Sequence, residues 1–173
     1  MRVTITRIDE IPSPTSSVLI AVSLVIATLL NVLPWHGWAL ILRPDFFAVV
    51  LLHWCVREPH KIGFYSAWVF GLFMDVAEGS LLGQHSMAYV LLAFLALLLS
   101  RRLQMFDLRF QVLHILPLLL LSQLVTMLIG LISGADFPGW GFFVPAFTGA
   151  AIWPAVYLLL EIPRRPRPES GET

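Results

Sequence analysis

A single cysteine in 173 residues, Cys55, leaves no partner for an internal disulfide. Charge is scarce as well: 13% of the residues are Asp, Glu, Lys or Arg, against about 25% in ordinary globular chains. Eleven basic residues balance eleven acidic ones. A formal charge of zero excludes a basic nucleic-acid binder or an acidic, solvating chain as the leading reading. The opening MRVTITRIDEIPSPTSS places acids and prolines ahead of the first apolar run and lacks the form of a cleaved signal, so the chain is read as mature and membrane-retained. What is abundant is apolar: 58% of residues are hydrophobic and the mean hydropathy is +0.82. A water-facing globule of this size could not hide that much apolar surface, so lipid is the solvent for much of it.

A helix needs about 20 residues to cross roughly 30 Å of hydrocarbon. Leu81–Leu99, Val112–Ile132 and Phe142–Ile162 meet that length, and Val18–Leu33 nearly does, interrupted only by Asn31. Phe46–Val56 and Ile62–Val76, divided by Arg57-Glu58-Pro59-His60-Lys61, reach only about 17 and 22 Å at 1.5 Å per residue. They are either two short crossings or a re-entrant hairpin. Charge favours the crossings. With six spans, all of the eleven Lys and Arg residues except Arg43 fall on one side, as cytoplasmic loops require, whereas a hairpin would strand Arg57 and Lys61 at membrane depth. The expected fold is all-α: one polytopic membrane domain over 1–173, with six transmembrane helices (the second and third short) and both termini cytoplasmic. Residues 1–16 form an N-terminal cytoplasmic segment in which Thr4–Ile8 could pair as a strand, and 163–173 a disordered tail. Trp35, Trp38 and Trp140 are expected in an outer aromatic belt and Trp54 in an inner one.

Signatures of membrane enzymes are missing. There is no H-E-x-x-H, Ser80 and Ser86 lack a base at a known spacing, and Asp75 is the one acid inside an expected span away from its very end. His36, His53, His60, His85 and His114 are scattered over both faces and several depths, so neither a metal nor another cofactor is expected.

The outer rim is more informative. In Arg43-Pro44-Asp45, Pro suits a first helical turn and an acid favours the positive end of a helix dipole, which accounts for Pro44 and Asp45. Arg43, the lone outer cation, needs a partner. Asp75 leaves its span on the same side, so an Arg43–Asp75 ion pair, or a shared hydrogen-bond network joining the second and third spans, is expected, with snorkelling to lipid phosphate as the rival. Gly71 stands one helical turn before Asp75, where another backbone could approach. Gly79-Ser80 reads as the turn that ends the third span. Pro117, Pro145 and Pro154 fall inside the last two spans, where they would kink the helices.

In order, Arg43-Pro-Asp-Phe46, Trp54 with Pro59-His60-Lys61, Gly71-Leu-x-x-Asp75 and Gly79-Ser-x-Leu-Gly83 resemble the MreD family of bacterial rod shape-determining membrane proteins. The likeness runs from about Leu29 to Ile162. It implies a non-catalytic inner-membrane scaffold that binds the transmembrane and periplasmic base of MreC. Through MreC it would reach the MreB filaments and the peptidoglycan polymerase and transpeptidase. It also implies a fold similar to the six-helix substrate-binding subunits of vitamin transporters. On this reading Arg43, Asp45, Gly71 and Asp75 form a partner-binding or structural polar network. The alternative is a solute-binding or transport subunit with an outer pocket at Arg43, Asp75 and Gln84 that takes an anionic or polar ligand.

Overall fold

Residues 16–161 are described by the computed structural model; the strand considered at Thr4–Ile8, the other residues of 1–15 and the tail 163–173 lie outside them. Ser16 opens the first helix by accepting a hydrogen bond from Val18 N at 3.2 Å, which satisfies one of the donors a helix start leaves over. The helices are α1 (Ser17–Val32), α2 (Trp38–Leu42), α3 (Phe46–Arg57), α4 (Phe64–Glu78), α5 (Gln84–Met105), α6 (Leu108–Ile132) and α7 (Val144–Glu161), the last led in by a 3-10 turn at Trp140–Phe143. No strand occurs among the described residues. Four stretches are long and apolar enough to cross a membrane, Trp38–Arg57, Gln84–Met105, Leu108–Ile132 and Trp140–Glu161, and Ser17–Val32 is a shorter apolar helix. The chain is a multi-pass membrane protein, all-helical over the described residues.

The short second span of the sequence is thus the lower part of a longer one. α2 and α3 form a single 20-residue stretch broken at Arg43-Pro44-Asp45. Proline disfavours helical backbone in the residue before it, and Arg43 has ψ 115°. Asp45 then restarts the helix by accepting from Ala48 N at 3.0 Å. From Phe47 to Val56 every residue of α3 is buried, because α1, α5 and α7 pack around it. Hence its near-unbroken apolar run: a helix enclosed on all sides has no polar face to keep.

Trp54 is fully buried and does not belong to an inner belt. Its indole Nε1 donates to Ser23 Oγ at 2.8 Å, so α1 supplies the acceptor that lets a large ring enter the core. Trp153 does the same, donating to Gln111 Oε1 at 3.2 Å. Trp38 and Trp140 are exposed. Pro117 and Pro154 are inside α6 and α7, whereas Pro145 occupies the first turn of α7, where a missing N–H disturbs nothing.

Cross-connections sort the helix ends into two groups. At one end, the close of α1 meets the start of α3 through Asn31 and Asp45, the close of α4 meets the start of α5, and the start of α5 meets the late part of α6 through Gln84 and Thr126 O. At the other, Arg57 pairs with Glu161 and stacks over Tyr157 with its guanidinium carbon 5.2 Å from the ring centroid. There, too, Gln104 donates to Val56 O. Successive long helices therefore alternate in direction.

α4 and α5 approach closely at Gly71. A Cβ built on Gly71 would lie 2.4 Å from Ser86 Cα and 2.7 Å from Ser86 N, so only glycine allows the two backbones this separation. The turn between them needs glycine for a different reason: Gly79 has φ 65° and Gly83 φ 103°, in the left-handed region where a side chain is strained.

Candidate functional site: a polar rim around a cavity

The end of the bundle that carries Arg43 also carries most of the buried polar chemistry. Asp45 does more than cap α3. Its Oδ1 accepts from Asn31 Nδ2 at 2.8 Å as well as from Ala48 N, and its Oδ2 accepts from the Tyr89 hydroxyl at 2.9 Å. Asn31 Oδ1 in turn accepts from Phe46 N at 2.9 Å. Asn31, the polar interruption of the first apolar run, is therefore a two-way connector, and Asp45 joins α1, α3 and α5. The dipole argument from sequence explains only one of these bonds.

Asp75 is 0% exposed and is surrounded by donors of the α4–α5 turn. Oδ1 accepts from His85 N at 2.7 Å and Ser80 Oγ at 3.1 Å, with His85 Nδ1 at 3.0 Å; Oδ2 accepts from Gly83 N at 2.8 Å and Ser86 Oγ at 3.1 Å. A buried carboxylate persists only with such compensation. Here it holds the turn that Gly79 and Gly83 make possible.

Of the two links expected between Arg43 and Asp75, the direct ion pair does not form, and a network joins them instead. Arg43 Nη2 lies 2.9 Å from Glu78 Oε1, and Nη1 donates to Asn31 O. The reason is where α4 stops. The helix continues to Glu78, almost one turn beyond Asp75, and brings that carboxylate to the rim, while the oxygens of Asp75 are already taken deeper in. His85 bridges the two acids, with Nε2 3.5 Å from Glu78 Oε2. The result is a chain of contacts, Arg43 to Glu78 to His85 to Asp75.

Ser80, His85 and Asp75 do not reproduce the order of a hydrolytic triad. The hydroxyl and the carboxylate both lie against the same imidazole nitrogen, Nδ1, whereas a general base needs its second nitrogen on the nucleophile. Among the described residues no group of three His, Cys, Asp or Glu side chains is placed to hold a metal ion.

A cavity of about 460 Å³ opens beside this network. Arg43, Asp45, Glu78, His85, Tyr89 and Gln123 contribute polar lining, and Leu40, Pro138 and Phe142 an apolar wall. Asp75 and Gln84, expected in an outer pocket together with Arg43, are not among its lining residues. Asp75 is behind His85, and Gln84 turns toward α6, donating to Thr126 O at 3.1 Å. Sequence reasoning overlooked Glu78, Tyr89 and Gln123. Glu78 carried a signal, as an acid directly before the helix-ending Gly79, but the other two are ordinary residues of apolar helices whose neighbours only the fold reveals.

Comparison with known proteins agrees with the motifs. The family model described as rod shape-determining protein MreD matches residues 14–162. The Rod shape-determining protein MreD of Haemophilus influenzae is 28% identical over 141 residues, covering 82% of this chain and 87% of that relative. No solved structure matches the chain, so the likeness to vitamin-transporter subunits has no support from that side. Four helices of membrane-crossing length, the ordered rim motifs and a family match across most of the sequence lead to one conclusion: the chain belongs to the MreD family of rod shape-determining proteins.

Proposed function

We propose that this protein is a non-catalytic scaffold of the cell-elongation complex in the bacterial inner membrane. Its outer rim receives the transmembrane and periplasmic base of MreC and so helps couple MreB filaments to the enzymes of peptidoglycan synthesis. Family membership supplies the cell-shape role; the observation that carries the scaffold reading is the locked rim. Asp45 ties α1, α3 and α5 together, and Asp75 fixes the α4–α5 turn. Such a surface is held in one shape before a partner arrives, which lowers the ordering cost of association.

The same reading places both termini in the cytoplasm, with six crossings. Among the described residues, Arg57, Lys61, Arg101, Arg102 and Arg109 gather at the end opposite Arg43, and the positive-inside rule assigns that end to the cytoplasm. Recognition of the partner would rest on shape and a few polar anchors, Arg43 and Glu78 foremost, since apolar surface gains nothing by leaving lipid for another helix.

Co-purification tests this. Wild-type protein, solubilised from membranes that also contain MreC, should retain it, and the variant Asp75→Ala, whose α4–α5 turn has lost its carboxylate, should retain much less. Equal recovery with both would contradict a role for the rim.

A further inference from the structure

The cavity has a charge and hydrogen-bond balance of its own. Three carboxylates stand at or directly behind its polar side, Asp45, Glu78 and Asp75, against Arg43 and His85. With the imidazole neutral, one cation faces three acids; with it protonated, two do. Arg43 is committed to Glu78. Asp45 takes its hydrogen bonds from an amide side chain, a backbone N–H and a phenol, and no ion pair to it occurs among the described residues. One buried acceptor is also open. Gln123 Oε1 is buried without a hydrogen-bond donor, on a residue that lines the cavity. The Tyr89 hydroxyl has spent its proton on Asp45. A buried acceptor with no donor is uncommon enough in folded proteins to need a reason.

This balance disfavours an anion on the Asp45 side of the cavity. We propose that the cavity binds a primary ammonium group on a short apolar stem. The ammonium brings three donors and a positive charge to Asp45, Gln123 and Tyr89, and the stem lies along Leu40, Pro138 and Phe142. A volume of about 460 Å³ falls in the range of ordinary small-ligand sites. A lysine side chain carries this chemistry, four methylenes ending in an ammonium; an ethanolamine lipid headgroup, whose ammonium is two carbons from a phosphate, does not.

The test uses the full chain in amine-free detergent micelles, with thermal unfolding followed during titration with pentylamine, pentanoate or pentanol at matched ionic strength. Pentylamine should raise the midpoint saturably, and the other two should not. Asp45→Asn keeps the capping oxygen and removes the charge; Gln123→Leu removes the open acceptor without touching the network. Each should weaken the apparent affinity for pentylamine about tenfold or more. If Asp45→Asn does not fold, Gln123→Leu decides. Protection by an acetylated lysine amide would support the site and identify the source; protection by ethanolamine lipid over glycerol lipid in mixed micelles, with no response to the lysine amide, would overturn it. An equal response to pentanoate, no response to pentylamine, or folded variants that both respond like wild type would overturn the proposal.

Discussion

Asp75 Oδ1 lies 2.7 Å from the backbone nitrogen of His85 and 3.0 Å from its imidazole Nδ1, so one buried carboxylate fixes both the path of the chain into α5 and the orientation of the ring that faces the cavity. This contact links local structure to the site. The turn needs glycine at Gly79 and Gly83 to bend back, and the acid supplies the acceptors for the N–H and hydroxyl groups that the bend exposes.

Asp75→Ala should therefore be costly. Removing the acceptor leaves Gly83 N, His85 N and the Ser86 hydroxyl without it in a buried place, and a loss of about 3 kcal/mol or more follows from unsatisfied buried groups of this kind. Chemical denaturation of the purified protein in detergent would measure it. A loss below about 1 kcal/mol would mean that the turn is held by other contacts.

Gly71→Ala should separate α4 from α5, because the new methyl would meet the backbone of Ser86 at 2.4 Å. At Gly149 the nearest atoms are the side-chain ends Leu119 Cδ1 at 3.0 Å and Val49 Cγ2 at 3.2 Å, which can give way. Overpacking costs about 1–3 kcal/mol where relaxation is possible, so Gly71→Ala should destabilise clearly more than Gly149→Ala. Thermal unfolding midpoints of the two variants, measured side by side, check the order.

Arg43 and Glu78 are partly exposed, and their coupling should be small, about 0.5–1 kcal/mol in a double-mutant cycle with Arg43→Gln and Glu78→Gln, fading at high salt. The cycle between Arg43 and Asp75 should give less still, since they touch only through Glu78 and His85. A larger Arg43–Asp75 coupling would restore the direct pair.

Topology reporters fused near Gly79 and Pro138 should read as external, and those near Gln104 and after Leu160 as cytoplasmic. A cytoplasmic signal at Gly79 would break the six-crossing arrangement.

Much of the fold was legible in residue order. Apolar runs located each long helix, Pro44-Asp45 marked a helix start, Gly71 signalled a close approach, and Gly79 ended α4. These are local matters of periodicity, capping and backbone freedom. The partner of Arg43 was not legible, because a helix that runs three residues farther delivers a different acid to the rim. Nor was the burial of Trp54, whose acceptor, Ser23, is on another helix. Tyr89 and Asp45 meet across a separation of 44 residues, and no local pattern announces such a neighbour.

The most direct test of the scaffold reading is site-specific photo-crosslinking in living cells. A photoreactive residue would replace Leu82, 73% exposed in the α4–α5 turn, or Leu98, 68% exposed on α5 toward the opposite end. Capture of MreC from position 82 and not from 98 is the expected result; capture from 98 alone, or from neither position while the protein still supports rod shape, would contradict a partner seated on the outer rim.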